Sequence, residues 1–507
     1  MNPVQVKKTL YQKYQDIMPK GAGALFLIQI FSTLSFSVLY STLILYATKG
    51  LKMNDTLATS ITGSFIALNY FLHLLGGYMG GRYLSYRSLF SFAMISQIIG
   101  CLLISVPDQT FLLWGLAAFL GGCGLNVTCI NCMVTQLFEP DDKRREAAFL
   151  WNYSGMNVGF FIGFSISGYF HLQQAYQQLF ILSAIGNIIA LTLALYNWKT
   201  LKDRDTPFVD ALAAVKKRSR LIGVGMIIAL VFAIRGLLDQ TTFCNQLIMV
   251  IGAAMLLFIS ILAFKQSNHA ARNKMWAYVV LAGSSVIFWT LYQLAPMGLN
   301  LFIERNVDRH FLGYIIAPQW VQNINTLVII FGGPLLSVIF TKMRERGINI
   351  NIPLQFSIAL LLIGIAFATL PIGISLANAQ GYVNFNWVLF SYILQSVGEL
   401  FISPIGYAMV GQLAPLKLRG LMMGMWMMII GVAAVMSDYF SKLALGSSES
   451  IDPLITNASY SHTFSMLGWS AITIGVLLFI CIPLVSRLTQ EKTISELRDM
   501  ELKEEAA

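Results

Sequence analysis

Glu399 stands inside the apolar run YILQSVGELFISPIGYAMV and reads as the one carboxylate set deep in any long apolar segment. An acid at the middle of a bilayer costs at least about 2.5 kcal/mol on insertion scales, so it is retained where it meets a proton, an ion or a substrate. Binding and carriage are therefore the chemistry to expect. Other candidates read more plainly. His73 can titrate near neutrality but suits packing or an interface. Asp438 falls within about a turn of the expected end of its apolar run, where exposure or capping is expected, and Arg235 is placed to snorkel toward headgroups. Cys123, Cys129 and Cys132, and the methionines from Met422 to Met436, read as soft packing rather than metal ligands, since no histidine or acid sits among the thiols. Phosphate-cradling loops, zinc spacings and nucleophile elbows are absent, and no cofactor is called for.

The elements that must hold Glu399 follow from composition. Of 507 residues, 56% are hydrophobic and only 11% charged, against roughly a quarter charged in soluble domains. Apolar runs of spanning length lie at 22–46, 57–77, 88–106, 110–136, 147–169, 174–194, 221–238, 245–264, 275–294, 316–340, 352–375, 384–410, 420–442 and 464–486. The expected class is an all-α polytopic membrane protein of about fourteen helices.

The formal charge of +10 is explained by topology rather than by nucleic acid, because the basic residues cluster between apolar runs. With the N-terminus inside, Lys7, Lys8, Lys13 and Lys20, then Arg82 and Arg87, Lys143, Arg144 and Arg145 all fall on the cytoplasmic side. Lys216, Lys217, Arg218 and Arg220, Arg272 and Lys274, Lys342, Arg344 and Arg346, and Lys417 and Arg419 follow on the same side, so both termini are expected in the cytoplasm. Short loops suggest a bacterial inner membrane, and no cleavable leader precedes the first span.

The expected organisation is a six-helix bundle over 1–197, a cytoplasmic linker at 198–220 with the basic run KKRSR, and an inserted helical pair at 221–270. A second six-helix bundle over 271–490 and a cytoplasmic tail from 491 to 507 follow. Two six-helix bundles about a central site are the major facilitator arrangement.

Several stretches resemble a known family. LGGYMGGR at 75–82 is similar to the loop motif of major facilitators. LQSVGELFISPIGYAMVGQLAP, GLMMGMWMM, NKMWAYVVLAGSSVIFWTLYQLAPMGLNLF and NYSGMNVG resemble helices ten, eleven, seven and five of the proton-dependent oligopeptide transporter family. The resemblance runs almost end to end and includes the extra helical pair of bacterial members. It implies a substrate site of Glu399, Tyr70, Tyr153, Asn157, Trp289, Gln322, Asn325, Ser403 and Trp426. In that pocket Glu399 receives the amino end of a peptide and is the candidate for proton coupling.

The departures carry equal weight. Where the family has ExxERFxYY in its first helix, this chain has QIFSTLSFS from Gln29, so the two glutamates become Gln29 and Ser32 and the arginine becomes Thr33. The lysine of the family's fourth helix becomes Val127, the acid of its seventh Gln293, and the loop-motif aspartate Gly81. Removing one charge of a buried pair strands the other, whereas removing both can be nearly neutral. The joint loss thus reads as a coherent change in which the carboxylate clamp goes and the ammonium site stays.

The function implied is transport of short peptides or peptide-like amines by alternating access, with atypical or absent proton coupling. The alternatives are a transporter of another small solute and a transporter-derived receptor without turnover; an enzyme is disfavoured because nothing pairs a nucleophile with a base. The expected partners are a small-molecule substrate such as a di- or tripeptide, the lipid bilayer and protons, with a monomer as the working form.

Overall fold

The computed structural model describes residues 18–489 apart from 140, 141, 143, 348, 349, 416, 417 and 447–449. Lys7, Lys8, Lys13, Lys143, Lys417 and the tail from Glu491 lie outside the described residues. Fourteen long helices run in order: α1 Ala22–Leu45, α2 Asp55–Met79, α3 Tyr86–Ile104, α4 Gln109–Gln136, α5 Arg144–Leu172, α6 Tyr176–Tyr196 and α7 Ala213–Asp239. They continue with α8 Thr241–Phe264, α9 His269–Tyr292, α10 Pro318–Glu345, α11 Ile352–Ser375, α12 Phe385–Leu413, α13 Arg419–Leu445 and α14 Pro453–Ile480. Thirteen of these spans are long and apolar enough to cross a bilayer. The exception is α5, where Asn152, Tyr153, Ser154 and Asn157 dilute the run. Each apolar run expected from the sequence corresponds to one of these helices.

The starts are set by caps. Ser85, Asp108, Asn268, Asn351, Asn384 and Asp452 each accept backbone N–H groups of the first turn that follows, which satisfies donors that the helix itself leaves unpaired. Two boundaries differ from the sequence reading. The helix expected from 464 begins at Pro453, because Asn457 and Thr456 meet Gly381 and Asn306 inside the protein and so hide an amphipathic first stretch. The basic run KKRSR lies in the first turns of α7 rather than in the preceding connection; alanine, lysine and arginine are good helix formers.

The chain divides into two compact units. Unit 1 comprises residues up to Thr42 and Leu68–Gln240, and unit 2 comprises Leu43–Ala67 and the chain from Thr241 onward. The inserted pair is thereby shared out: α7 packs on α4 in unit 1, α8 packs on α9 and α13 in unit 2, and the chain passes between them at Gln240.

In unit 1, α3 and α4 approach until a Cβ on Gly100 would stand 2.7 Å from the carbonyl oxygen of Gly115, a close approach of the kind small residues permit. The connection 197–212 is fastened to one end of this unit. Phe208 N–H donates to Gly81 O (2.8 Å), Gln136 and Arg204 exchange two hydrogen bonds, and Asp203 Oδ2 accepts from Tyr86 N–H (2.8 Å) at the start of α3. Gly81 has φ +73°, which a side chain adopts only under strain.

In unit 2, a Cβ on Gly364 of α11 would stand 2.9 Å from Gly468 O of α14. At one end of this unit, residues 43–67 meet the short helix Gly298–Asn306 through ions: Lys49 pairs with Glu304, which also pairs with Arg309, and Arg305 forks onto Asp55 at 2.5 and 2.8 Å. Beside it, residues 307–308 pair in parallel with 383–384, and 310–311 form a small hairpin with 314–315.

Candidate functional site

Glu399 sits at the centre of the 29-residue α12. Two neutral donors from different helices reach it. The hydroxyl of Tyr292, the last residue of α9, donates to Oε2 at 2.8 Å, and Asn325 Nδ2 of α10 donates to the same oxygen at 2.6 Å. Oε1 has no partner among the described residues, and no lysine or arginine there pairs with the carboxylate. Hydrogen bonds to a charged acceptor are strong, so Tyr292 and Asn325 fix the group while leaving one oxygen open.

One turn before each donor sits another. Trp289 precedes Tyr292 on α9, in edge contact with its ring at 5.5 Å and with Phe288 at 5.3 Å. Gln322 precedes Asn325 on α10. Both side chains are buried, and Trp289 Nε1 and Gln322 Nε2 have no partner among the described residues. Buried donors of this kind await an acceptor, from a ligand or water. Ser403 follows Glu399 by one turn and is half-buried. Trp426 lies deeper, packed on the backbone of Gly406 and beside Phe356 at 6.1 Å. Gln293 is buried directly after α9.

In unit 1, Tyr70 and His73 stack at 6.0 Å on one face of α2. His73 Nδ1 lies 2.5 Å from Asn69 O and so is the ring donor. On α5, Asn157 is buried and donates to Tyr153 O at 3.0 Å, while Tyr153 is exposed. The positions expected to carry charge are knit by amides and hydroxyls: Asn152 Nδ2 donates to Gln29 Oε1 (3.1 Å), Gln29 Nε2 donates to Thr33 Oγ1 (2.8 Å), and Ser32 Oγ bonds Gln29 O. Val127 is half-buried on α4.

One reading needs correction. Asp438 is neither exposed nor a cap: α13 continues to Leu445, and the side chain is 3% exposed, accepting from Lys442 Nζ (2.8 Å) and from Asn245 Nδ2 (2.9 Å). Glu399 is thus not the only carboxylate enclosed in a span. The Asp438 and Lys442 spacing of i, i+4, in which one charge answers the other, was the signal for it. Arg235 pairs with Asp239, one turn nearer the end of α7, and lies over Trp114 at 5.3 Å. Met422, Met425 and Met428 are buried, and Met425 and Met428 border an apolar cavity of about 150 Å³ with Met249 and Met255. Tyr292, which holds Glu399, was not singled out because a tyrosine within a span carries no sign of its partner.

Among the described residues, fourteen long helices, thirteen of them apolar enough to span, in two units and with a mid-helix carboxylate held by neutral donors, define a multi-pass membrane protein. Comparison with known proteins makes the class specific. The POT family model matches residues 86–458. The dipeptide and tripeptide permease A of Cronobacter turicensis is 30% identical over 93% of this chain and 94% of its own, and that of Escherichia coli is 28% identical over 93% and 94%. A POT family transporter solved with 5-aminolevulinic acid superposes with a TM-score of 0.79 at 24% identity, covering 92% of this chain and 97% of that one. Another, solved with a thioalcohol-conjugated peptide, gives 0.79 at 25% identity over 92% and 97%. The chain belongs to the POT family, has the major facilitator fold, and is a multi-pass protein of the inner membrane.

Proposed function

We propose that the protein carries short peptides or peptide-like amines across the cytoplasmic membrane by alternating access, with Glu399 receiving the substrate ammonium. One observation carries this reading: Tyr292 and Asn325 both bond Oε2, so Oε1 remains for a cationic ligand. The buried donors Trp289 Nε1 and Gln322 Nε2, one turn earlier on the same two helices, suit acceptors such as peptide carbonyls. On unit 1, Tyr70, Tyr153 and Asn157 are proposed to contact substrate, their partners being neutral or aromatic. The names of the curated relatives, dipeptide and tripeptide permeases, favour peptides over other solutes.

Coupling is proposed to be atypical. The Gln29, Thr33 and Asn152 chain contains no group that titrates near neutrality, and the enclosed Asp438 is already answered by Lys442, so the proposed proton acceptor is Glu399. Both termini are proposed to be cytoplasmic. In support, the loop with Arg82 and the connection with Arg204 meet at one end of unit 1, where α3 and α7 begin with Arg87 and Lys216 in their first turns, while the mixed-charge cluster around Glu304 occupies an end of unit 2 reached by the connection between α1 and α2. The experiment is a thermal-shift and liposome counterflow screen of the purified chain against di- and tripeptides, amino acids, polyamines and citrate-like anions. Ligands of the folded state raise its apparent stability. Stabilisation and exchange by peptides are expected, and a response only to anions lacking an amine would refute the assignment. Labelling of a cysteine at position 217 or 343 from outside the cell would overturn the topology.

A further inference from the structure

The second helix of the inserted pair does more than face lipid. α8 delivers Asn245 to an enclosed polar chain: its Oδ1 accepts from Ser64 Oγ of α2 (2.9 Å), and its Nδ2 donates to Asp438 Oδ2 of α13 (2.9 Å), an oxygen that Lys442 Nζ also reaches (2.8 Å). Ser64, Asn245 and Asp438 are all buried, at 0, 9 and 3% exposure. The backbones are close here as well, since a Cβ on Gly63 would stand 2.8 Å from Asp438 Cβ. All these groups belong to unit 2, yet residues 43–67 are flanked on both sides in sequence by unit 1.

The order of partners along this chain has a consequence. Asp438 is answered by Lys442 within its own helix and by the amide of Asn245, so its charge stays paired whatever Ser64 does. Residues 43–67 supply two hydroxyls, Ser64, whose bond to Asn245 is neutral, and Ser60, which bonds the Asp438 carboxylate. Stranding a charge in an enclosed site would suppress separation by orders of magnitude, whereas losing two hydroxyl partners while Lys442 and Asn245 stay on Asp438 costs far less. Parting of residues 43–67 from α8 and α13 therefore leaves Asp438 paired, while the Lys49–Glu304 and Arg305–Asp55 pairs at the end of the unit open with it.

We infer that Ser64, Asn245 and Asp438 form a releasable latch in which α8 of the inserted pair holds residues 43–67 against unit 2, and that its release is a step of the transport cycle. The inference rests on the transport reading above. Asn245 is the adaptor: an amide both donates to the carboxylate and accepts from the hydroxyl, which neither serine nor leucine at 245 would reproduce.

The native Cys244 thiol lies within hydrogen-bonding reach of Ser64, so Ser64→Cys sets a second thiol beside it. In liposomes loaded with a dipeptide, mild oxidation of this variant should form a disulfide and abolish counterflow, and reductant should restore it. The double variant Ser64→Cys, Cys244→Ala should be indifferent to both treatments. Thiols that fail to cross-link, or a cross-linked chain that exchanges substrate as fast as the reduced one, would overturn the latch. A reduced chain and wild type that both carry no peptide would instead fail the transport reading. The latch is then decided without substrate: the buried thiol of the Ser64→Cys, Cys244→Ala variant should react several-fold faster with a membrane-impermeant maleimide when Asn245→Leu is added, and an unchanged rate would overturn it.

Discussion

Replacing Glu399 by glutamine tests the centre of the site with little change of shape. Tyr292 and Asn325 both donate to one oxygen of the carboxylate, and the amide oxygen of glutamine can accept from the same two groups. The fold should therefore persist. What changes is the other position: Oε1, open in the wild type, becomes an NH₂ that presents donors to an incoming ammonium. A hydrogen bond to a charged group contributes about 1.5–3 kcal/mol, so dipeptide affinity should fall about 10- to 150-fold. Isothermal titration in detergent against Ala-Ala, with N-acetylated Ala-Ala as control, measures this. The acetylated peptide has no ammonium, and Glu399→Gln should leave its affinity unchanged. Equal loss for both peptides would show that the substitution disturbs the cavity rather than the charge, and an unchanged affinity for Ala-Ala would remove Glu399 from the site.

Other consequences are separable. Gly406 lies one turn beyond Ser403, where a Cβ would run into the Trp426 ring, so Gly406→Ala should cost about 1–3 kcal/mol by overpacking, read as a lower melting temperature; an unshifted melt would mean that Trp426 has room to move. With Gln29, Ser32, Thr33, Val127 and Gln293 neutral, counterflow should proceed without a pH gradient and respond weakly to an imposed one; strong concentrative uptake on an inward proton gradient, persisting in Glu399→Gln, would reveal another proton path. Outside the spans, burial pushes the Asp203 carboxyl above the ordinary range, opposed by the N–H groups of Tyr86 and Arg87. The folded state then binds the Asp203 proton more readily than the unfolded one, so this group's contribution to stability rises as pH falls through the raised value and levels off near about pH 4. Asp203→Asn keeps an acceptor for Tyr86 N–H and should remove only that pH-dependent increment, and a melting profile parallel to wild type across the window would count against it.

How much of this was written in local sequence depends on the range of the interaction. Helices of this kind are set by runs of apolar residues and by caps one or two residues away, so all fourteen could be read. The start of α14 was missed because its polar residues are satisfied by other segments, Asn457 by Gly381 O and Thr456 by Asn306. Glu399 was legible because a charge within an apolar run is conspicuous whatever surrounds it. Tyr292 was not, since its hydroxyl is committed 107 residues away in sequence. The assignment of residues 43–67 to unit 2 depends on contacts with Glu304, Arg305, Asn245 and Asp438, none of which leaves a local trace in that stretch.

The two carboxylates enclosed in the spans of unit 2 show why one is assigned to function and the other to structure. Asp438 has its cation four residues away on the same helix and a relay amide from α8, so its charge is compensated in the resting protein and no ligand is required. Glu399 has hydroxyl and amide donors on a single oxygen, which orient it but carry no net charge. An ion with little solvent is costly unless its charge is answered, so the proposed role of Glu399 is to take a positive charge from outside, as a proton or as an ammonium group. In unit 1 the converse holds. Thr33 and Val127 stand where cations are expected, and the surrounding amides are bonded to one another with no acid left in need of one. Within unit 2, an ammonium arriving at Glu399 would thus find a full charge at Oε1, with the unpartnered donors Trp289 Nε1 and Gln322 Nε2 one turn away along the same two helices that orient the carboxylate.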